Sequence, residues 1–317
     1  MPSYTRPLKG LLGDSPAMLR LTDQVRRLGS FDLPVLVLGE TGSGKELVAR
    51  ALHATSRRRS RAFVAVNCGA VDAGTAMSML FGHERGAFTG ATGRRRGAFR
   101  EAAGGTLFLD EVGELGPDLQ AALLRALEAR EVTPVGGDRP EPVDFRLVAA
   151  THQGLEARVF EGTFREDLFY RLAVTLVRVP ALRARRDDIP ALARHFLAAS
   201  APHLGISPAA LRRLEGHDWP GNVRELRNVV LRATVAVDGD TVRPEHLSIL
   251  GGLPGRLDSS PPSRARIVPP ARPASSVLRD QLIDALETTR GNRTVAAASL
   301  GIARSTLYAR LKRLGLG

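Results

Sequence analysis

A glycine-rich segment that ends in lysine has the spacing of a phosphate-binding loop. The residues GETGSGK fit the pattern G-x-x-x-x-G-K, follow an apolar segment and open a helical one. The glycines allow backbone amides to converge on phosphate oxygens, and the helix N-terminus adds partial positive charge. The general motif continues with a Ser or Thr ligand for Mg²⁺, but this chain has Glu at that position. The predicted nucleotide contacts are Gly39, Glu40, Thr41, Gly42, Ser43, Gly44, Lys45 and Glu46. Of these, Lys45 is expected to reach the β- and γ-phosphates.

Two acidic residues directly follow the apolar segment Thr106–Leu109. Carboxylates at the end of a strand are costly unless they meet a cation or a bound water. Asp110 is therefore a candidate to hold Mg²⁺, directly or through water, and Glu111 is a candidate to polarise the water that attacks a phosphate. A helix-capping cluster is the alternative for such a pair, but the phosphate loop upstream favours catalysis.

Between these two motifs lies a hexamer of small residues with one aromatic, Gly86–Ala91, with the sequence GAFTGA. Its glycines let the backbone turn, and nothing in it supplies core volume. An ordinary surface loop is the simplest interpretation of such a hexamer taken alone. Its place between two motifs of phosphate chemistry indicates a function instead.

The elements that must position these residues alternate between strand and helix. Nearly continuous apolar runs predict strands whose two faces are both covered, as in a parallel sheet. The predicted strands are Pro34–Leu38, Phe63–Val66, Thr106–Leu109 and Phe145–Ala150, and the predicted helices between them are Lys45–Ala54 and Pro117–Ala129. This alternation predicts a doubly wound α/β core. From Asp187 to Leu250 the strands stop and helices dominate, which predicts a smaller all-helical subdomain.

The composition is that of an ordinary globular protein with an excess of positive charge. Of the 317 residues, 43% are hydrophobic and 25% are charged, and the formal net charge of +12 suggests an anionic partner. The single cysteine, Cys68, excludes an internal disulfide framework and fits a reducing compartment. No segment approaches the 18 consecutive apolar residues of a membrane span, and the N-terminus has no apolar core of signal-peptide length. These features predict a cytoplasmic protein.

The positive charge is concentrated at the C-terminal end of the chain. Residues 251–276 contain six prolines, several serines and no apolar periodicity, which predicts a disordered linker. This linker has a net charge of +3 and residues 277–317 have +4, so more than half of the excess lies in the last fifth of the chain. Such an uneven distribution suggests a nucleic-acid contact at the C-terminus.

The C-terminal segment contains three predicted helices, Ser276–Thr289, Thr294–Leu300 and Arg304–Leu314. The sequence GNRTVAAASLGIARSTLYARLKRLG resembles a Fis-type helix-turn-helix, in which the last helix enters the major groove. The residues best placed for base edges are Arg304, Ser305, Thr306, Tyr308 and Ala309, and those expected at phosphates are Arg293, Arg310, Lys312 and Arg313. An amphipathic tail used for dimer packing is a compatible alternative, since such domains normally dimerise.

Five longer motifs occur in one order along the chain: GETGSGKE, LFGHERGAFTGA, GGTLFLDE, FREDLFYRL and WPGNVREL. Residues 10–250 therefore resemble the central domain of sigma-54-dependent enhancer-binding proteins, a branch of the AAA+ ATPases in which glutamate regularly fills the position of Glu46. The resemblance implies an α/β fold: an AAA+ parallel-sheet ATPase core with a helical lid, a linker, and a small all-α helix-turn-helix domain. The corresponding boundaries are 1–180, 181–250, 251–276 and 277–317.

The resemblance also implies roles for single residues. Asn67 matches a switch asparagine that holds the catalytic Glu111, and Thr151 matches the first sensor position. Arg165 and Arg171 match a pair that reaches the γ-phosphate bound to the neighbouring subunit. The remaining matches are Arg224 as the second sensor in the lid, and Leu12 and Gly13 beside the adenine.

The function that the resemblance implies is an ATP-dependent transcriptional activator. It would bind enhancer DNA, assemble from dimers into a hexameric ring, and use ATP and Mg²⁺ to remodel the closed complex of the sigma-54 RNA polymerase holoenzyme. The residues implied in gripping sigma-54 are Gly86, Ala87, Phe88, Thr89, Gly90 and Ala91. Two other classes of protein are the alternatives. The first is a DNA- and nucleotide-binding module that has lost remodelling, and the second is another AAA+ motor such as a helicase loader. The intact catalytic residues argue against the first class, and GAFTGA with the Fis-type tail argues against the second.

Several positions depart from the family pattern. Met77 and Met79 stand where acids are usual, and Arg100 stands where Glu is usual; all three flank the GAFTGA loop and bear on its coupling to ATP. His152 follows Thr151 where Asn is common, and it is interpreted as a tolerated variant because no second metal ligand has suitable spacing.

Most family members carry an N-terminal sensory domain, whereas only about a dozen residues precede Leu12 in this sequence, too few for a separate fold. Two explanations stay open. Either a separate regulatory protein acts in trans, or the recorded start is too late.

Overall fold

The computed structural model describes most of the chain up to residue 249, namely Leu8 and residues 10–69, 73–88 and 90–249. The chain divides into two units, Met1–Leu253 and Pro254–Gly317, and all described residues belong to the first. The predicted linker, the predicted C-terminal helices and the nine predicted DNA contacts lie outside the described residues, as does Thr89.

Ten α-helices lie within the described part of the chain. They are α1 Pro16–Gly29, α2 Lys45–Ala54, α3 Ala73–Phe81, α4 Ala98–Glu101, α5 Pro117–Ala129, α6 Leu155–Phe160, α7 Glu166–Leu172, α8 Ile189–Ser200, α9 Pro208–Glu215 and α10 Asn222–Ala236. Single 3₁₀ turns cover Val112–Glu114, Leu182–Ala184, Arg186–Asp188 and Pro244–His246. The two predicted helices of the core, α2 and α5, are confirmed with their predicted bounds. Pro117 opens α5, where its fixed φ suits the first helical position, and Arg130 ends it in a left-handed conformation with φ +56°.

The strands of the described residues fall into one large sheet and three two-stranded pairs. They are β1 Val35–Leu38, β2 Phe63–Asn67, β3 Gly82–His83, β4 Arg95–Arg96, β5 Thr106–Asp110, β6 Glu131–Val132, β7 Glu141–Pro142, β8 Arg146–Thr151, β9 Thr175–Arg178, β10 Gly205–Ile206 and β11 Thr241–Val242. The large sheet has five strands in the order β2-β5-β8-β1-β9, and every neighbouring pair in it is parallel. The predicted α/β class is confirmed. The edge strand β9 was missed, because it is exposed at alternate positions and is not a continuous apolar run.

Alternate residues of the central strands point into two separate cores, one on each face of the sheet. Leu107, Leu109 and Ala149 pack with α5 and its neighbours on one face. Phe108 and Val148 pack with α1 and α2 on the other. Covering both faces explains why these strands are apolar at every position.

The register of the sheet brings polar residues to one edge. Asn67 pairs with Asp110 at the ends of β2 and β5, and Leu38 pairs with Thr151 at the ends of β1 and β8. Because all these strands are parallel, their carboxyl ends meet where the phosphate loop follows Leu38. Ligands of open α/β sheets bind at such an edge.

The lid subdomain packs α8, α9 and α10 around its own core, with Trp219 fully buried at its centre. The indole Nε1 of Trp219 donates to the carbonyl oxygen of Leu214 at 2.9 Å, so the buried ring leaves no donor unpaired. The sequence predicted that strands stop after Asp187, but β10 and β11 form a two-residue parallel pair. Strands of two residues are too short for an apolar pattern to predict them. Within the described residues no helix is both long and apolar enough to span a bilayer.

Candidate functional site

The phosphate loop folds around Lys45, the first residue of α2. Gly42 and Gly44 have φ of +75° and +106°, a region that side chains rarely tolerate, which explains the glycines. Lys45 is 7% exposed, and its Nζ donates to the carbonyl oxygen of Gly39 and to Glu111 Oε1, both at 3.1 Å. Within the described part of the chain, the buried Ser43 Oγ has no hydrogen-bond partner. An unpaired hydroxyl and a buried ammonium in one loop fit a phosphate ligand.

Glu111 turns the chain out of β5 in a left-handed conformation with φ +53°, which is unusual for a residue with a side chain. Its Oε1 accepts from Lys45, and its Oε2 accepts from the ring Nδ1 of His152 at 2.7 Å and from the His152 backbone N–H at 3.2 Å. Burial alone would raise the pKa of Glu111, but the hydrogen bonds from His152 and Lys45 outweigh it and lower the pKa. Glu111 is therefore held ionised, as a base requires.

The pKa of Asp110 is shifted in the opposite direction to that of its neighbour Glu111. Burial, and then the charge of Glu111, raise the pKa of Asp110 above its ordinary value. A carboxylate in that position favours a nearby cation. The described residues contain no cluster of three or more protein groups that would hold a metal. One carboxylate fits Mg²⁺ nonetheless, because this ion is commonly held by one or two carboxylates together with phosphate oxygens and water.

The contact predicted for Asn67 is not formed. Its Oδ1 accepts from the backbone N–H of Gly69 at 2.9 Å, so the side chain caps its own loop instead of holding Glu111. His152 makes the contact with Glu111 that was predicted for Asn67, although the sequence suggested only a tolerated variant. Its position was the available signal, since it directly follows β8, the neighbour of β5. Thr151 is fully buried at the end of β8, and its Oγ1 accepts from the backbone N–H of Gln153 at 3.1 Å.

A cavity of about 580 Å³ brings most predicted nucleotide residues together. Its lining includes phosphate-loop residues, both strand-end acids and the lid helix α10. The predicted residues that line it are Thr41, Gly42, Gly44, Lys45, Glu46, Asn67, Asp110, Glu111 and Arg224. The lid thus contributes Arg224 to the same cavity as the phosphate loop, as predicted for a second sensor.

A second cavity of about 290 Å³ shares Gly44 and Leu47 with the first, and its surface is mostly apolar. Leu12 lines it, together with Gly10 and Leu11, which the sequence did not single out. Gly13 is not among its lining residues. A Cβ on Gly13 would lie 2.6 Å from the carboxylate of Asp188, so this glycine is explained by packing against the lid. The cavity has the apolar character expected around a purine base.

Two acidic side chains of the phosphate loop are paired with other protein groups. Both carboxylate oxygens of Glu40 accept hydrogen bonds from lid residues, Arg183 and Asn222, so its side chain is not free for a nucleotide. Glu46 lines the larger cavity, but its Oε1 pairs with Arg50 one turn later in α2 at 2.7 Å. The sequence motif identified the loop correctly and could not distinguish side chains that face the ligand from those that face the lid.

Arg165 and Arg171 line neither cavity. Arg165 Nη2 lies 2.7 Å from Asp167 Oδ2, at the start of α7. Arg171 Nη2 donates to the carbonyl oxygen of Leu127 at 3.0 Å. Both side chains are exposed.

The GAFTGA loop lies between β3 and β4. The backbone N–H of Gly86 donates to the carbonyl oxygen of Ala91 at 2.9 Å, which closes the loop at its base. Phe88 is 46% exposed, and its ring meets His83 edge-on at 5.0 Å. A large aromatic held at the surface of a glycine-rich loop is available for a partner.

Three family profiles match the chain and together cover most of it. The Sigma-54 interaction domain matches residues 11–178, the AAA+ ATPase lid domain matches 183–249, and the Bacterial regulatory protein, Fis family, matches 279–314. The chain belongs to the sigma-54-dependent transcriptional regulators. It is an AAA+ ATPase that binds nucleotide, with an activator domain and a Fis-type helix-turn-helix DNA-binding domain.

Known relatives are similar in sequence to almost the whole chain. The transcriptional regulatory protein ZraR of Salmonella typhimurium is 45% identical over 318 residues, covering 99% of this chain and 70% of ZraR. The crystal structure of NtrX from Brucella abortus in complex with ADP superposes with a TM-score of 0.71 at 36% identity, covering 98% of this chain and 70% of NtrX. The NtrX complex with ATP gives a TM-score of 0.70 at 35% identity, with the same coverage of both chains.

The three residues beside the GAFTGA loop that depart from the family pattern lie in different surroundings. Met77 and Met79 are partly buried against the larger core. Arg100 is 6% exposed, its Nη1 lies 2.9 Å from Glu141 Oε1, and its Nη2 lies 3.4 Å from the carbonyl oxygen of Phe81. Arg100 therefore links the base of the loop to the β6–β7 pair, and Arg94 reaches the same Glu141 oxygen at 3.1 Å.

Proposed function

We propose that this regulator uses ATP hydrolysis to remodel the closed complex of sigma-54 RNA polymerase, and that it does so through the loop Gly86–Ala91. The observation that carries the proposal is the convergence of Lys45, Asp110 and Glu111 in one cavity of the domain that presents Phe88 at its surface. Hydrolysis and an exposed gripping residue in one folded unit are the two parts that such a motor requires.

In this proposal each strand-end residue has a separate task. Lys45 and the amides of the phosphate loop bind the triphosphate, and Asp110 holds Mg²⁺, which would neutralise charge on the phosphates. Glu111 takes a proton from the attacking water, because hydrogen bonds from His152 and Lys45 lower its pKa and keep it ionised. Thr151 and Arg224 sense the γ-phosphate from the sheet and from the lid, and Leu12 lies against the base.

We further propose that the nucleotide site is completed by a second copy in a hexameric ring. Arg165 and Arg171 are exposed and line neither of the two cavities described above, which supports a role in trans. Nearby apolar side chains are also exposed: Phe160 at 94% and Tyr170 at 64%. An interface between subunits would bury them beside the two arginines. An arginine supplied in trans is worth roughly 10³ or more in rate.

The segments outside the described residues have proposed roles as well. Residues 277–317 would bind enhancer DNA through the helix that starts at Arg304, and residues 251–276 would link this domain to the ATPase. The core boundary near residue 180 is supported by the end of β9 at Arg178 and the first lid turn at Leu182. Control by a regulatory protein in trans and a cytoplasmic location stay predictions.

A mixing experiment tests the shared site. Arg171→Ala and Glu111→Ala proteins should each be inactive as ATPases, since one lacks the arginine in trans and the other lacks the base. Mixed in equal amounts, they should regain activity at interfaces that combine an intact Glu111 with an intact Arg171. Specific activity of the wild type should also rise steeply with protein concentration. Mixtures that remain as inactive as the single variants, with a flat concentration dependence, would exclude the shared site.

A further inference from the structure

Asn222, the first residue of α10, joins the lid to the phosphate loop. It is fully buried and adopts a left-handed conformation with φ +52°. Its Nδ2 donates to Glu40 Oε2 and to the carbonyl oxygen of Thr41, both at 3.1 Å, and its Oδ1 accepts from the backbone N–H of Leu182 at 2.8 Å. One amide therefore bridges the phosphate loop and the first turn of the lid.

Glu40 is fixed from the lid side by a second residue. Arg183 donates to both of its carboxylate oxygens, and the bond from Nη1 to Oε2 is 2.7 Å long. The hydrogen bonds from Arg183 and then Asn222 lower the pKa of Glu40 to about 2. A carboxylate bound by a guanidinium fork and an amide is ionised and held in one orientation.

The backbones also meet at this point. A Cβ on Gly42 would lie 2.3 Å from the carbonyl oxygen of Gly221, so only glycine allows this approach. The backbone N–H of Arg224 donates to the carbonyl oxygen of Gly42 at 3.3 Å. The segment of the phosphate loop whose amides would face a phosphate thus has its carbonyls turned toward the lid.

We propose that Glu40, Arg183 and Asn222 form a latch that holds the lid over the nucleotide and sets how long ATP remains bound. This inference rests on the proposed nucleotide site and adds positioning residues to it. Arg224 lies two residues after Asn222 on the same turn of α10, so a shift of the latch moves Arg224 in the cavity. The latch acts through the lid and does not itself touch the ligand.

A merely structural contact would change folding stability without changing nucleotide exchange, and the chain offers a matched control. Arg186, three residues after Arg183, pairs with Asp218 at 2.5 Å and is similarly exposed, at 42% against 46%. The Arg186 pair joins two parts of the lid and does not reach the phosphate loop. Arg183→Ala and Arg186→Ala therefore each remove one arginine–carboxylate pair, and only the first pair connects the lid to the phosphate loop.

The experiment measures dissociation of a fluorescent ATP analogue from the full-length protein by stopped flow, with thermal unfolding recorded for each variant. Arg183→Ala should speed dissociation by roughly threefold to tenfold, the range for a charged hydrogen bond at a partly exposed site. Arg186→Ala should leave dissociation within about twofold of the wild type. Glu40→Gln should speed it, and the double variant with Arg183→Ala should be no faster than the stronger single variant, because both break one contact.

The result that overturns the latch is equal dissociation from the Arg183→Ala and Arg186→Ala proteins, or fully additive effects of Arg183→Ala and Glu40→Gln. Asn222→Ala should show the largest effect, and if it fails to fold the Glu40 and Arg183 cycle decides alone. The proposed function fails separately. A wild type that binds the analogue but neither hydrolyses ATP nor supports sigma-54 transcription would refute the function and leave the latch measurable.

Discussion

Removal of the His152 side chain should slow ATP hydrolysis without weakening ATP binding. The ring Nδ1 of His152 lies 2.7 Å from Glu111 Oε2, and the backbone N–H of the same residue lies 3.2 Å from that oxygen. His152→Ala deletes the first bond and keeps the second, so Glu111 is loosened and not released. Glu111→Ala removes the base itself and should cost at least roughly a hundredfold.

The magnitude follows from the geometry of this contact. A hydrogen bond to a charged group contributes about 1.5–3 kcal/mol. The His152 side chain is 39% exposed, which places the loss at the low end. About 1.4 kcal/mol corresponds to a factor of ten in rate. With the backbone bond retained, kcat should fall about threefold to tenfold, while KM for ATP stays unchanged.

The assay is steady-state ATPase kinetics at a protein concentration that saturates assembly, compared with His203→Ala, an exposed lid histidine, as control. Because the hydrogen bond from His152 helps to lower the pKa of Glu111, its loss raises that pKa. The acid limb of the kcat profile should therefore move to higher pH. In a Glu111→Ala background, His152→Ala should have no further effect. A raised KM with unchanged kcat, or a further loss in that background, would show that His152 does not act through Glu111.

Two further predictions concern ion pairs that the sequence did not reveal. Arg100→Glu places an acid against Glu141 at a nearly buried site, so it should destabilise the protein by about 2 kcal/mol and lower transcription activation. The double exchange with Glu141→Arg should recover both stability and activation, as measured by thermal unfolding and transcription assays. A double variant without recovery would exclude the pair as the cause. The ionised Glu40, with its pKa lowered to about 2 from 4.5, contributes stability that is fully present above pH about 4.5 and is lost as the pH falls toward 2. The difference in Tm between wild type and Glu40→Gln should thus be constant from about pH 7 to 5 and shrink below that; a difference that grows in acid would contradict the assignment.

The core of the fold was predictable because its signals are local. The apolar runs around Val35–Leu38 and Thr106–Asp110 are buried on both faces, and the phosphate loop opens a helix whose bounds were predicted correctly. The edge strand β9 gave no such signal, since only one of its four residues is buried. The other edge strand, β2, was predicted because Phe63–Val66 is a continuous apolar run, although only Val66 in it is buried.

The partners of the site residues were harder to predict, because they depend on how separate elements meet. Asn67 ends β2 and His152 directly follows β8, the two strands that flank β5, and only the structure shows which of them contacts Glu111. Glu40 belongs to a nucleotide motif, yet its carboxylate accepts a hydrogen bond from Arg183 of the lid, more than 140 residues away along the chain. Sequence motifs identify which loops form a site, whereas side-chain orientation depends on tertiary packing.

One pair of rates tests most directly whether ATP turnover can be separated from activation through the GAFTGA loop. The Thr89→Ala protein is assayed for ATP hydrolysis and for transcription from a sigma-54 promoter in the same preparation. No described residue of Gly86–Ala91 lines either cavity, so hydrolysis should remain within about twofold of the wild type while transcription is lost. A fall in hydrolysis as large as the fall in transcription would contradict a loop that transmits force and show that it serves the nucleotide site instead.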